Sequence, residues 1–240
     1  MKLDVLGLQF DNLTMDEALA AGEHLLEGDR PGIVVTPNAE IAYDACKNAA
    51  FRALLNGADL ILPDGAGVVL AAKILGTPLK SKVAGIDFAR NMLSVFARLG
   101  TKLYLLGSKP GVAEQAAEKM KAIAPGLVIC GTADGYFKDE TPVVDIINAS
   151  GAEALFVCLG APKQERFMFA HRDELATVRL MAGLGGSLDG FAGNVKRAPK
   201  WMIRLQLEWL YRLIKEPKRL GRMMRLPKYV LLAFRARRKG

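Results

Sequence analysis

The chain has 240 residues, 51% of them hydrophobic and 24% charged, which suits one sizeable α/β domain with a packed core. No stretch approaches the roughly 18 apolar residues that span a bilayer, and Met1-Lys2-Leu3-Asp4 lacks the basic-then-apolar layout of a signal peptide, so a cytoplasmic protein is expected. The net charge of +8 is uneven: residues 196–240 hold 15 Lys and Arg against Glu208 and Glu216, while the other 195 residues are net acidic, so the tail is expected to meet a polyanion, either nucleic acid or an anionic membrane.

Thr14-Met15-Asp16-Glu17 has the form of a capping box and predicts a helix through about Leu26. Ile33-Val34-Val35-Thr36 predicts a β-branched strand that Pro37 ends, with Pro37 opening a helix. Leu60-Ile61-Leu62 predicts a strand closed by Pro63-Asp64-Gly65, then a helix to about Leu75. Helix 86–99 leads to strand 102–106, which ends in Gly107-Ser108-Lys109-Pro110-Gly111 before helix 112–123. Strand 127–130 and helix 140–149 follow, then strand 154–159, which ends in Gly160-Ala161-Pro162-Lys163-Gln164-Glu165 and another helix. Strand 178–182 runs into Gly183-Leu184-Gly185-Gly186-Ser187. Strands that lack polar alternation, each followed by a helix, indicate a Rossmann-like, mostly parallel sheet covered by helices on both faces.

In such a sheet ligands bind outside the carboxyl ends of the strands, and each short motif named above falls at one of those ends. Each also has a plainer reading. Gly107-Ser108 can cradle a phosphate at a helix N-terminus or form a tight turn. Asp64 can accept a proton from an attacking hydroxyl, or cap the next helix, which is the simpler reading of one sequence. Thr36 and Asn38 can bond a sugar or satisfy free helix N–H groups. Lys163 can meet a phosphate and Gln164 can orient a sugar hydroxyl, or both can lie in a solvated first turn. Asp189 can bind a ribose or base, or belong to a flexible connection.

The three cysteines, Cys46, Cys130 and Cys158, are far apart and lack metal-ligand spacing, as expected for a reducing compartment. His24 and His171 lie in helical patterns and are expected at the surface, without a catalytic role. The tail is expected to form a basic amphipathic helical appendage. Trp201, Ile203, Leu207, Leu210 and Ile214 recur at helical spacing, and Pro217 and Pro227 are expected to divide the segment into short helices. The last piece, Tyr229 to Phe234 followed by Arg235, Arg237, Arg238 and Lys239, has the makeup of a helix lying in the membrane interface. An ordinary helix packed on the core suits residues 201–214 better than 228–239. RNA is the rival partner.

In this order, Thr36-Pro37-Asn38-Ala39-Glu40, Leu62-Pro63-Asp64-Gly65, Gly107-Ser108, Gly160 to Glu165 and Gly185-Gly186-Ser187-Leu188-Asp189-Gly190 resemble the WecG/TagA/CpsF glycosyltransferase family (glycosyltransferase family 26). Arg197-Ala198-Pro199 with Glu208, Trp209 and Arg212 resembles its C-terminal pattern, so the likeness covers nearly the whole chain. It implies an inverting transferase that needs neither metal nor other cofactor, at the cytoplasmic face of a bacterial inner membrane. The implied donor is a UDP-sugar carrying N-acetylmannosamine, its uronic acid or glucose, and the acceptor a sugar on a polyprenyl (undecaprenyl) diphosphate. By the same resemblance Asp64 is the general base and forms the catalytic set with Thr36 and Gln164, which line the sugar site with Asn38; Gly107, Ser108 and Lys163 bind substrate; and Asp189 lies near the nucleoside. Arg212, Arg219 and Arg222 match the family's functional arginines in spacing. Lys82 stands where the family usually has arginine, which keeps the charge but loses the bidentate fork.

The expected division is therefore a catalytic core, 1–195, and a membrane-docking appendage, 196–240, whose removal is expected to stop transfer and leave the core folded. Expected partners are the UDP-sugar, the lipid-linked acceptor and an anionic membrane surface, with a second copy of the chain left open and nucleic acid excluded. A nucleotide-cofactor oxidoreductase and a non-catalytic membrane- or RNA-binding module are the alternatives; the first lacks the glycine fingerprint in its first βα unit.

Overall fold

The computed structural model describes residues 1–195, 198–205, 207–215 and 220–238; the side chains of Lys200, Arg204, Arg212 and Arg222 fall outside that description. The chain opens with a hairpin that the sequence reading passed over. Strands β1 (Lys2–Val5) and β2 (Leu8–Asp11) pair antiparallel across the Leu6-Gly7 turn. Helix α1 (Met15–Leu25) starts at the expected capping box: Glu17 N–H donates to Thr14 Oγ1 and Thr14 N–H donates to Glu17. Strand β3 (Gly32–Val35) leads to α2 (Ala39–Lys47), and α3 (Ala49–Asn56) follows at once. Pro37 does not open α2. Asn38 does, by accepting from the N–H groups of Glu40 and Ile41. Asn48 breaks the helix from its successor, ending α2 and capping α3 through Phe51 N–H.

Next come β4 (Leu60–Ile61), α4 (Ala66–Ile74), α5 (Gly85–Leu99), β5 (Lys102–Gly107), α6 (Val112–Ile123) and β6 (Val128–Ala133). They are followed by α7 (Thr141–Ala149), β7 (Ala154–Cys158), α8 (Lys163–Ala170), β8 (Leu180–Gly183) and α9 (Ser187–Ala192). The tail forms α10 (Lys200–Arg204), α11 (Glu208–Lys215), α12 (Leu220–Met223) and α13 (Arg225–Arg237). Six strands make one parallel sheet in the order β4-β3-β8-β7-β5-β6. The hairpin lies beside its β4 edge, where Asp11 Oδ2 accepts from Ile61 N–H and so occupies a donor of the exposed edge.

Alternate strand residues enter two separate cores. Ile33, Val35, Leu106, Leu155, Val157 and Met181 join the hairpin and the helices of one face, while Val34, Leu105, Phe156, Leu180 and Ala182 join α1, α5, α6 and α9 on the other. Burial on both faces explains why the strands read as unbroken apolar runs. Cys158 is buried, which pushes its thiol up to about 12 and leaves it a small core residue; Cys46 and Cys130 are half-buried and free.

Three further expectations fail. His171 is not at the surface: its side chain is 13% exposed, its ring packs 4.8 Å from that of Phe167, and its two nitrogens contact Glu174 and Glu140 at 2.7 and 2.8 Å. Partial burial would lower its pKa, but the two carboxylates outweigh it and hold the imidazole above its ordinary value. The stretch 228–239, expected to suit packing on the core poorly, does pack on it through α13. It packs along α4 and α2, with Tyr229 and Ala233 fully buried in the first core and Leu226 against Ala39 and Gly67. Pro227 sits in its first turn, where a backbone N–H has no intrahelical acceptor, so the proline leaves the helix unbroken. Pro217 lies outside the described residues.

Candidate active site

The strand connections set the location. From β5 the chain moves outward to β6, whereas from β7 it moves the opposite way to β8, so the strand order reverses between β5 and β7, and the carboxyl ends of such strands are where sheets of this kind bind ligands. Gly107 closes β5 there. Its φ is 129° and a Cβ would meet the Cys158 carbonyl oxygen at 2.4 Å, so only glycine fits and the two strand ends stay together. The next residue, Ser108, also has positive φ and holds three neighbours: its N–H donates to the Cys158 carbonyl (3.2 Å), its carbonyl accepts from Gly135 N–H (2.9 Å), and its hydroxyl bonds the Asp189 carboxylate on α9. Lys163 Nζ donates to the Gly135 carbonyl at 3.0 Å and stands 4.0 Å over the Phe137 ring. Gly107, Ser108, Lys163 and Asp189 therefore form one constellation.

A second group gathers two strands away. Asp64 follows β4, but it does not cap α4; Gly65 holds that position without a side-chain bond. Its carboxylate turns instead toward the N-terminus of α5, where Gly85 N–H donates to Oδ2 at 3.4 Å. Its own N–H donates to the Pro37 carbonyl (3.3 Å), and a side chain on Gly85 would lie 2.8 Å from Thr36 Oγ1. Asp64 and Thr36 thus meet around one helix end. Asp64 is half-buried and keeps a route to solvent. Thr36 is 7% exposed and donates its hydroxyl to the Gly183 carbonyl at 2.9 Å. Asn38 spends Oδ1 on α2, which leaves its Nδ2 group to donate elsewhere. Lys82 is next to Val83, whose N–H donates to the Pro63 carbonyl, so its loop borders Asp64.

Gln164 sits between the groups, under the glycine loop and away from solvent, at 2% exposure. Oε1 accepts from Gly185 N–H and Nε2 donates to Glu165, both at 2.9 Å. Its amide is committed to holding the loop after β8. Of the tail residues expected here, Arg219 lies outside the described residues, and so do the side chains of Arg212 and Arg222.

The sequence reading missed one rim segment, Asp134-Gly135-Tyr136-Phe137, because it ended the preceding strand at Cys130 rather than Ala133. The signal was an Asp-Gly turn followed by two aromatic residues. Gly135 touches both Ser108 and Lys163, and Tyr136 is 68% exposed.

This arrangement puts one accessible carboxylate at a helix N-terminus that favours anions, with small residues and amide donors alongside. The model of the glycosyl transferase WecG/TagA/CpsF family matches residues 3–240. The chain belongs to that family. It is a glycosyltransferase, and the resemblance read from its motifs holds over almost its full length. It is 42% identical over 205 residues to the N-acetylglucosaminyldiphosphoundecaprenol N-acetyl-beta-D-mannosaminyltransferase of Bacillus spizizenii, covering 85% of this chain and 79% of that one. The Bacillus subtilis protein of the same name is 40% identical over 209 residues, 87% of this chain and 81% of its own. The Staphylococcus aureus (strain MRSA252) protein of that name is 34% identical over 242 aligned positions, 99% and 94% of the two chains.

Proposed function

We propose that the enzyme transfers N-acetylmannosamine from its UDP derivative to N-acetylglucosamine on undecaprenyl diphosphate, in the synthesis of a bacterial surface polysaccharide. The reading rests on the placement of Asp64 together with the names of relatives up to 42% identical. Asp64 takes the proton of the acceptor hydroxyl, the oxygen attacks the anomeric carbon, and UDP leaves from the opposite side. The names of the relatives specify a β product, which an α-linked UDP donor gives by inversion.

Ser108, Gly107 and Lys163 face the diphosphate, Asp189 faces the nucleoside, and Asn38 Nδ2 reaches the sugar. Thr36 and Gln164 act as positioning residues, one tying Gly183 and the other tying Gly185. No metal or other cofactor enters this scheme; the N-terminus of α6, which follows the 107–111 loop, and the arginines 212, 219 and 222 neutralise the departing diphosphate.

Among the described residues no helix is long and apolar enough to cross a membrane. The lipid acceptor is met by peripheral docking of residues 196–240 at the cytoplasmic face, with α13 tying that segment to the core. Trp201, Leu205, Ile214, Leu220, Leu231 and Phe234 are exposed in this stretch, beside a dense set of cations.

The test is Asp64→Asn, which keeps an oxygen for Gly85 N–H but cannot take a proton. With labelled UDP-N-acetylmannosamine and the lipid-diphosphate acceptor, kcat is expected to fall by at least ~10²-fold with donor binding retained. Turnover close to wild type would remove Asp64 from the chemistry. UDP-glucose and the uronic acid donor, run alongside, test the choice of sugar.

A further inference from the structure

A groove of about 710 Å³ opens at the far end of α2 from the active site. Helix α2 starts beside Thr36 and ends at Lys47, so its nine residues carry the chain about 13 Å away from the carboxyl ends of the strands. Helix α13 runs the same way, from Leu226 beside Ala39 and Gly67 to Arg235 and Ala236 beside the end of α2. The Leu6-Gly7 turn of the hairpin and Arg52 of α3 complete the walls.

Half of the lining is apolar: Leu6, Leu232, Ala236 and the half-buried Cys46. The other half is cationic: Lys47 and Arg52 come from the core, and Arg235 and Arg238 from the tail. Among the described residues, none of these four side chains is in an ion pair. The nearby acids are engaged: Asp4 accepts from Gly7 N–H and Gln9 Nε2, and Asp44 pairs with Arg225 at 2.7 Å. Beside the groove Leu231 and Phe234 of α13 are half exposed, at 49% and 51%.

Four cations and four apolar or weakly polar side chains lining one groove, at the edge of an exposed apolar surface, match an anion attached to hydrocarbon. The volume falls within the roughly 300–1,000 Å³ of small-molecule sites. We propose that this groove binds the headgroup phosphate of an anionic phospholipid in the bilayer, with the phosphate among Lys47, Arg52, Arg235 and Arg238 and the upper acyl chain over Leu6 and Leu232. It extends the membrane-docking reading above and rests on it. The new element is that the core itself supplies half of the lipid site, through residues of α2 and α3 outside the basic tail. Occupation would fix the height of the molecule on the leaflet and hold α13 against the core at both of its ends.

The experiment is co-sedimentation of the full chain with phosphatidylcholine vesicles, with and without phosphatidylglycerol. Wild type should bind phosphatidylglycerol vesicles more tightly, and Lys47→Gln with Arg52→Gln should weaken that binding by about 25-fold, about fivefold for each cation lost near an anionic leaflet. Arg90→Gln with Lys121→Gln removes the same charge from exposed positions on α5 and α6, on the other face of the sheet, and should change binding less than twofold. Equal loss in the two double variants would reduce the effect to net charge and overturn the groove. No loss in either would overturn it as well. Wild type that binds both vesicle types equally keeps the docking reading and rejects the anionic site. Wild type that binds neither rejects both.

Discussion

Glu165 is 1% exposed, and its Oε2 has no hydrogen-bond partner among the described residues. Burial raises its pKa above the ordinary 4.5, opposed by the bond from Gln164 Nε2. A carboxyl with a raised folded pKa contributes its full stability below about 4.5 and loses it as pH climbs through the folded value. Glu165→Gln keeps the acceptor for Gln164 and removes the titration. Its melting midpoint should exceed that of wild type by a margin that widens as pH rises from 4.5; a constant difference would mean that the carboxyl titrates alike in the folded and unfolded chains. The pair also shows where reading residues in order stops. Lys163-Gln164-Glu165 looked like three polar groups at the mouth of a sheet. The chain turns into α8 at Lys163, so the lysine faces Gly135 while the next two side chains point inward. An eight-residue helix is too short for its pattern to reveal that rotation in advance.

At the level of elements, strands and helices of the parallel sheet were legible because burial on both faces writes them as apolar runs between glycine and proline breaks. The hairpin was not, although Leu8-Gln9-Phe10-Asp11 does alternate, because its Leu6-Gly7 turn lacks the usual Asn-Gly or Asp-Gly signal. The packing of α13 on the core was not legible, for a physical reason. Arg and Lys surround Tyr229 and Ala233 so densely that its composition resembles an interfacial helix, yet its narrow buried stripe is what meets α2 and α4. Close approach at that junction depends on Gly67, where a Cβ would lie 2.7 Å from the Ala39 Cβ and 3.3 Å from Leu226. Gly67→Ala therefore sets two effects against each other. Helix propensity gains roughly 1 kcal/mol, and overpacking costs about 1–3 kcal/mol. Neither Ala39 Cβ nor the α4 backbone can swing aside, so the clash should win and the denaturant midpoint should fall with an unchanged slope. A rise would show that α13 yields at this contact.

On the scale of the molecule, the sequence suggested a catalytic core that would stand alone once residues 196–240 were removed. The packing of α13 argues otherwise. Tyr229 and Ala233 are fully buried, Leu226 and Val230 pack beside them, and the Tyr229 hydroxyl faces the Val5 carbonyl of the hairpin at 3.5 Å. Loss of one buried aromatic side chain alone costs about 3–5 kcal/mol, a large share of the roughly 5–15 kcal/mol that holds a domain folded. A chain ending at residue 195 should therefore melt well below the full chain and bind apolar dyes at temperatures where the full chain does not. Its inactivity would then say nothing about docking. The exposed residues of the same tail separate the two roles, since Trp201 and Leu205 are 59% and 63% exposed. Trp201→Ser with Leu205→Ser should leave the midpoint within about 0.5 kcal/mol of wild type, as surface changes do, while lowering transfer to an acceptor embedded in vesicles more than transfer to a short-chain soluble acceptor. If the chain ending at 195 melts with the full-length protein, α13 is not part of the fold's foundation. If the serine pair lowers both transfers equally, the exposed face serves the active site and not the bilayer.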